Sequence, residues 1–181
     1  MDPRLREDDV TKGFLMVMGI DRESNKYGLK WLRLSALVLF LDQGTKILAE
    51  YYLELYRQVE IIPFMNLTLM QNEGAAFSFL ADAGGWQRWF FVVVTIVITV
   101  FLLRWLRSLS EDERWLAIAI ALIIGGAIGN LIDRVQYGYV IDFLDLHAMG
   151  WHWPAFNIAD SAIFIGAIII VWDSIFGGDG K

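Results

Sequence analysis

The chain contains no cysteine, which excludes a disulfide framework, a thiol nucleophile and a thiolate metal site and leaves the redox compartment open. It also lacks a basic run. A formal charge of −6 is spread along 181 residues, so nothing points to a nucleic-acid partner. No internal repeat is visible, and low complexity is confined to the short Gly-rich end. Histidine is scarce: His147 and His152 lack a third ligand and no HExxH occurs, so no metal site and no cofactor are expected. The start of the chain lacks the form of a signal peptide, because "GFLMVMGI" is short and follows the charged "MDPRLREDD". Residues 1–28 read as a polar, mobile cytoplasmic leader in which Met16 and Met18 offer alternative starts.

What is present is apolar. Hydrophobic residues make up 56% of the chain and aromatics 14%, too much for an ordinary soluble domain. Four segments approach the roughly 20 apolar residues a bilayer crossing needs. Trp115 to Ile132 carries no charge, and Trp89 to Leu103 is uncharged between Arg88 and Arg104. Trp153 to Trp172 is interrupted only by Asp160. Trp31 to Leu53 is the weakest, with Arg33, Asp42, Lys46 and Glu50 inside it.

With four spans both termini share one side. That side holds Arg22, Lys26, Lys30, Arg33, Arg104, Arg107, Arg114 and Lys181, besides three more basic residues of the leader, against Lys46, Arg57, Arg88 and Arg134 opposite. The positive-inside rule makes the richer side cytoplasmic. "MNLTLMQN" alternates as a half-buried strand does, with turn glycines in "NEGAAF" and "ADAGG" on its C-terminal side. The expected fold is therefore an all-α integral membrane protein with four transmembrane helices and a small β-rich extracytoplasmic platform between spans one and two. One membrane domain, 29–176, holds spans at about 31–53, 86–106, 115–133 and 153–173. An outward β-like segment covers about 54–85, an outward loop about 135–152, and a cytoplasmic tail 177–181.

Depth singles out the polar residues. Asp42 lies roughly 16 Å into span one, Asp160 roughly 10 Å below the outer start of span four, and Asn130 and Asp133 end span three on the same side. A mid-bilayer charge costs at least about 2.5–3.5 kcal/mol, so each needs a partner or a task. Asp42 and Lys46, one turn apart, can neutralise each other. Gly125 and Gly129 suit close helix packing. Asp133 with Arg134 reads as a solvated interfacial pair, Asp145 as a solvent-facing loop residue, and Ser161 and Ser78 have no evident base. Asp160 has no cation on its own span. Paired with a second carboxylate it would form the dyad of an aspartyl hydrolase, and spacing leaves Asp142 and Asp145 equally open as its partner. A small transporter lined by Asp42, Lys46, Asp133 and Asp160, or a helper packing through Gly125 and Gly129, are the rival readings. The inner half of the spans, almost free of ionisable groups, argues against a path through the membrane.

Four motifs in order resemble bacterial lipoprotein signal peptidase, the four-span aspartyl signal peptidase II family. They are "LDQGTK" at 41–46, "NEGAAFSFL" at 72–80, "GGAIGNLIDRVQYGYVIDF" at 125–143 and "PAFNIADSAI" at 154–163. The resemblance covers about residues 30 to 176. It implies Asp142 and Asp160 as the catalytic dyad, passing over Asp145, and Asn72, Gly126, Asn130, Arg134 and Asn157 as substrate-binding or site-shaping positions. Asp42, Lys46 and Asp133 fall to structural roles. It further implies a prolipoprotein substrate whose cysteine already bears diacylglyceryl, cleaved just before that cysteine near the outer face of the inner membrane. The enzyme is expected to work as a monomer among membrane lipid.

Overall fold

A computed structural model describes residues 27–74 and 85–176. Most of the leader, Ser78, Gly84 and the tail lie outside the described residues. Four long helices and one small sheet make up the rest. After a 3₁₀ turn, Gly28–Trp31, helix α1 runs Leu32–Tyr52 and leads into strands β1, Gln58–Ile62, and β2, Met65–Asn72. Helices α2, Trp86–Ser108, and α3, Arg114–Gln136, follow. Strands β3, Val140–Ala148, and β4, Trp151–His152, precede α4, Ile158–Phe176. Among the described residues three helical stretches are long and apolar enough to cross a membrane: Trp86–Ser108, Glu111–Gln136 and Ile158–Phe176. The charges of α1 keep it out of that group.

Helix α3 is the axis of the bundle and packs against α1, α2 and α4. Half of its apolar window is buried in the protein, against 22% for α2 and 17% for α4. Small residues explain this. In lipid there is little hydrophobic drive between helices, so close backbone approach and van der Waals packing hold them together. A Cβ on Gly125 would come within 2.8 Å of the Ser35 carbonyl of α1, and one on Gly126 would collide with the Ala159 carbonyl of α4. Ser35 Oγ donates to the Ala121 carbonyl at 2.7 Å across the α1–α3 contact. At the end remote from the sheet, Leu102, Leu106, Leu109, Ala117, Ile120 and Ile124 form a dry cluster. Helix α3 is led in by a capping box, Ser110 with Glu113. It ends where Gly138, at φ 93°, turns the chain into β3.

The sheet is antiparallel in the order β1-β2-β3-β4. Only two of its strands come from the segment between the first two helices. The stretch read as the outward loop 135–152 supplies the other two, so that expectation is corrected. "YVIDFLDLHA" buries consecutive residues, Val140 to Phe143, apolar and polar alike, a pattern that lacks the clean alternation of "MNLTLMQN" and so does not announce a strand. A two-residue turn, Met149 at φ 51° and Gly150 at φ 80°, closes the β3–β4 hairpin. The fourth helix starts at Ile158 rather than near 153. The segment before it runs extended along β3, with Phe156 N–H donating to the Leu144 carbonyl at 3.0 Å and Trp153 N–H to that of Leu146 at 2.8 Å. Pro154 disfavours a helical residue before it, and Asn157 supplies the cap that lets α4 begin.

Candidate active site

Asn157 is the hub of the site. Its side-chain Oδ1 accepts Asp160 N–H at 2.9 Å, while its own N–H donates to Asp160 Oδ2 at 3.3 Å. This is a reciprocal capping box at the start of α4, and it fixes the Asp160 carboxylate against the helix N-terminus. The Asn157 amide Nδ2 reaches Asp142 Oδ1 at 2.7 Å, the Ile141 carbonyl at 3.2 Å and Asn130 Oδ1 at 3.2 Å. Asn130 Nδ2 donates in turn to Asp160 Oδ1 at 2.7 Å. On the other side of Asp142, Asn72 Nδ2 donates to its Oδ2 at 3.0 Å. Strand β3 and helix α4 thus bring two carboxylates together on one asparagine. Burial, and then the charge of Asp160, push the Asp142 carboxyl up to about 7.

Both acids face a cavity of about 1290 Å³ that Asn72, Asn130 and Arg134 also line, with Phe164 and Ile165 of α4 on its apolar side. Arg134 stands as part of the wall. Its guanidinium donates to the carbonyls of Asn130 at 3.4 Å and Gly74 at 3.2 Å and lies over Phe91. Gly126 lies on the α3–α4 contact behind Asp160, where only glycine admits the Ala159 carbonyl.

Beneath the pair sits a closed ion cluster. Lys46 Nζ meets Asp42 Oδ2 at 2.8 Å and Asp133 Oδ2 at 2.7 Å, and donates to Asn130 Oδ1 at 3.0 Å. Asp133 is 1% exposed and pairs with Lys46 rather than with Arg134, so the solvated Asp133–Arg134 pair is corrected. The roughly 100° between consecutive helical residues puts Arg134 on the cavity side while Asp133 points at α1. Gln43, which sequence reasoning passed over, bridges the two acids through Nε2, at 3.2 Å to Asp42 Oδ2 and 2.9 Å to Asp133 Oδ1. Its place in "LDQGTK", next to Asp42, already suspect for depth, is the signal that could have found it.

Asp145 is likewise not a surface group. It is 4% exposed, lines the same cavity as Asp142, and is held by Asn66, Thr68 and His152. The cause is a β-bulge: Phe143 and Leu144 N–H both donate to the Phe156 carbonyl, at 3.1 and 2.9 Å. Two β3 residues opposite one bring acids three apart to the same side. Asn66, Thr68 and His152 were also missed as a group, because register joins them and no motif does.

A bundle of long apolar helices with a carboxylate-lined cavity beside a small sheet places the chain in the class of multi-helix membrane proteins with an acidic site. The family model described as signal peptidase (SPase) II matches residues 34–176. A lipoprotein signal peptidase of Alteromonas mediterranea is 50% identical over 154 residues, 85% of each chain. One of Aeromonas hydrophila is 55% identical over 150 residues, covering 82% of this chain and 90% of its own. A solved bacterial membrane enzyme structure superposes with a TM-score of 0.72 at 33% identity, over 84% of this chain and 93% of the other. The chain belongs to the signal peptidase II family. It is accordingly a peptidase of lipoprotein processing and a multi-pass protein of the bacterial inner membrane.

Proposed function

We propose that the chain works as an aspartyl endopeptidase in which Asp142 and Asp160 are the catalytic pair, acting on diacylglyceryl-modified prolipoproteins just before the lipid-bearing cysteine. One observation carries the assignment: Asn157 donates to both carboxylates at the head of α4, through its side-chain amide to Asp142 and its backbone N–H to Asp160, with the cavity open beside them. The pair holds a single proton. The ionised member takes a proton from water as its oxygen attacks the scissile carbonyl, and the protonated member gives its proton to the carbonyl oxygen. As the tetrahedral diol collapses, the member protonated by water gives its proton to the leaving amine and the other takes a diol O–H proton. The C–N bond breaks, the carboxylic acid product forms and the singly protonated pair is restored. The two acids titrate as a unit, which is why the proton belongs to the pair. Asn72, Asn130 and Asn157 orient them without adding charge, and Arg134 shapes the wall that receives the peptide.

The same reading extends to the membrane. Helix α1 serves as a fourth span, its two buried charges, Asp42 and Lys46, paired inside the bundle. Both termini are cytoplasmic, because Lys30, Arg33, Arg104, Arg107 and Arg114 gather at one end. The sheet and the catalytic pair then stand at the periplasmic face, where water and a lipid-anchored peptide meet. A monomer, residues 29–176, contains the whole site.

Cleavage of a lipid-modified prolipoprotein by purified enzyme, followed by gel shift, tests this. Asp142→Asn and Asp160→Asn are each expected to lower kcat by about 10³-fold or more, while Asp145→Asn keeps most of kcat. Full activity in either of the first two variants would sink the pair.

A further inference from the structure

Three residues beyond Asp142, a second buried carboxylate faces the cavity and takes no part in the hydrolysis. Asp145 Oδ2 accepts Asn66 Nδ2 and Thr68 Oγ1, both at 3.2 Å, and Oδ1 takes His152 Nδ1 at 2.7 Å. The Asp145 side chain is 5% exposed and that of His152 42%. A carboxylate so placed accepts only, so it fixes the proton on Nδ1 and turns Nε2 outward. The ring is further held by stacking on His147, with centroids 5.1 Å apart, across the registered 147–152 pair of the hairpin. Among the described residues nothing hydrogen-bonds Nε2, and His152 lines the cavity. The result is an oriented polar atom, backed by a buried acid and presented to open space.

Its position says what it would meet. Along β3, Asp142 and Asp145 are three residues apart with the bulge between them, somewhat under the roughly 10 Å that three extended peptide residues cover. Beyond Asp160 and Ser161 the α4 side of the cavity turns apolar, with Phe164 and Ile165, whereas the sheet side offers Gln58, Thr68 and His152 beside Met70 and Leu146. A signal peptide and a diacylglyceryl group belong with the apolar side and the membrane. The sheet side is left for polar chain that follows the lipid-bearing cysteine. We propose that His152, oriented by Asp145, is a specificity-determining contact that hydrogen-bonds the substrate backbone about three residues into the mature segment. Nε2 accepts a peptide N–H when the ring is neutral and donates to a peptide carbonyl when it is charged. The inference rests on the Asp142–Asp160 reading and on the outward placement of the sheet.

The test uses the full chain and two lipid-modified substrates with the same signal peptide, one carrying a mature segment and one ending in an amide directly after the cysteine. His152→Ala is expected to raise KM for the longer substrate by about tenfold, the upper size of one net hydrogen bond. Its kcat should hold, and the short substrate should be unaffected. Asp145→Asn should give the same length-dependent rise, and His152→Gln should restore part of it. Equal losses on both substrates would mean that the pair only supports the fold, and unchanged KM on both would mean no contact; either overturns the proposal. Asp142→Asn separates the two readings, because it should abolish cleavage of both substrates alike. Residual cleavage there would undo the catalytic pair while leaving the long-versus-short difference of His152→Ala intact.

Discussion

Two groups of carboxylates share Asn130 and differ in how their charge is balanced. Asp42 and Asp133 close on Lys46, all three at most 1% exposed. Ala159 N–H, Ile141 N–H and Gln43 take up further lone pairs of the two acids. Asp142 and Asp160 receive asparagine amides and one backbone N–H, with no salt bridge to either among the described residues. Asp142 is as buried as Asp42 and Asp133, with only Asp160 half-buried, so burial does not identify chemistry. A cation at bonding distance marks acids that hold helices together, whereas neutral donors and an open side leave a pair free to exchange protons.

The strongest way to break this contrast is to remove the cation. Lys46→Met strands two carboxylates in the bundle and should destabilise it by about 3–5 kcal/mol. The readout is unfolding in detergent, and adding Asp42→Asn and Asp133→Asn should recover much of the loss. A Lys46→Met protein as stable as wild type would mean that the cluster is not what joins α1 to α3. Gly126→Ala tests the packing on which Asp160 depends. Its Cβ meets the Ala159 carbonyl, so α4 must shift, costing about 1–3 kcal/mol and lowering kcat with little change in KM. Thermal unfolding and cleavage measured on the same preparation check both halves.

The catalytic side of the contrast has a pH signature. The Asp142 carboxyl is raised to about 7 in the folded protein from an ordinary value of 3.8, so the folded state holds its proton longer than the unfolded chain does. Stability attributable to this group is present below the unfolded value and is lost as pH rises from there through about 7. Asp142→Asn removes that loss. Near neutrality and above it should be more stable than wild type by on the order of 1–2 kcal/mol, the gain fading towards acid. The full shift is not recovered, because the new amide nitrogen must face one of the two asparagine donors. Wild-type kcat/KM should also fall on the alkaline side of about pH 7 as the pair loses its shared proton.

How much of this was written in the sequence depends on the kind of contact. Helices α2 and α3 announce themselves by unbroken apolar length, and the i,i+4 spacing of Asp42 and Lys46 foretells their ion pair. Depth alone made Asp160 an outlier. The partner of Asp133 was not legible, since it needs the angle at which α1 crosses α3. Nor was the burial of Asp145, which follows from a bulge set by one carbonyl, that of Phe156, receiving two N–H groups. Local spacing reads contacts within an element, whereas register and bulges decide contacts between elements.

Asp145 supplies the smallest and opposite effect. Burial alone would push its carboxyl up, but hydrogen bonds from His152, Asn66 and Thr68 outweigh that and hold it below the usual carboxylate range. A depressed folded value contributes stability above the unfolded one, lost as pH falls through the folded one. Thr68→Val keeps the shape and removes one donor of the three, so it should cost about 1 kcal/mol at neutral pH. That cost should shrink in acid, where the carboxyl is protonated in both proteins, and kcat should stay within experimental error of wild type. Asp142→Asn and Thr68→Val therefore perturb acids three residues apart on one strand with stability changes of opposite sign near neutrality, both fading towards low pH. Parallel unfolding curves across acid and neutral buffers measure it, and a Thr68→Val penalty that grew towards acid would show that Asp145 is held as the neutral acid instead.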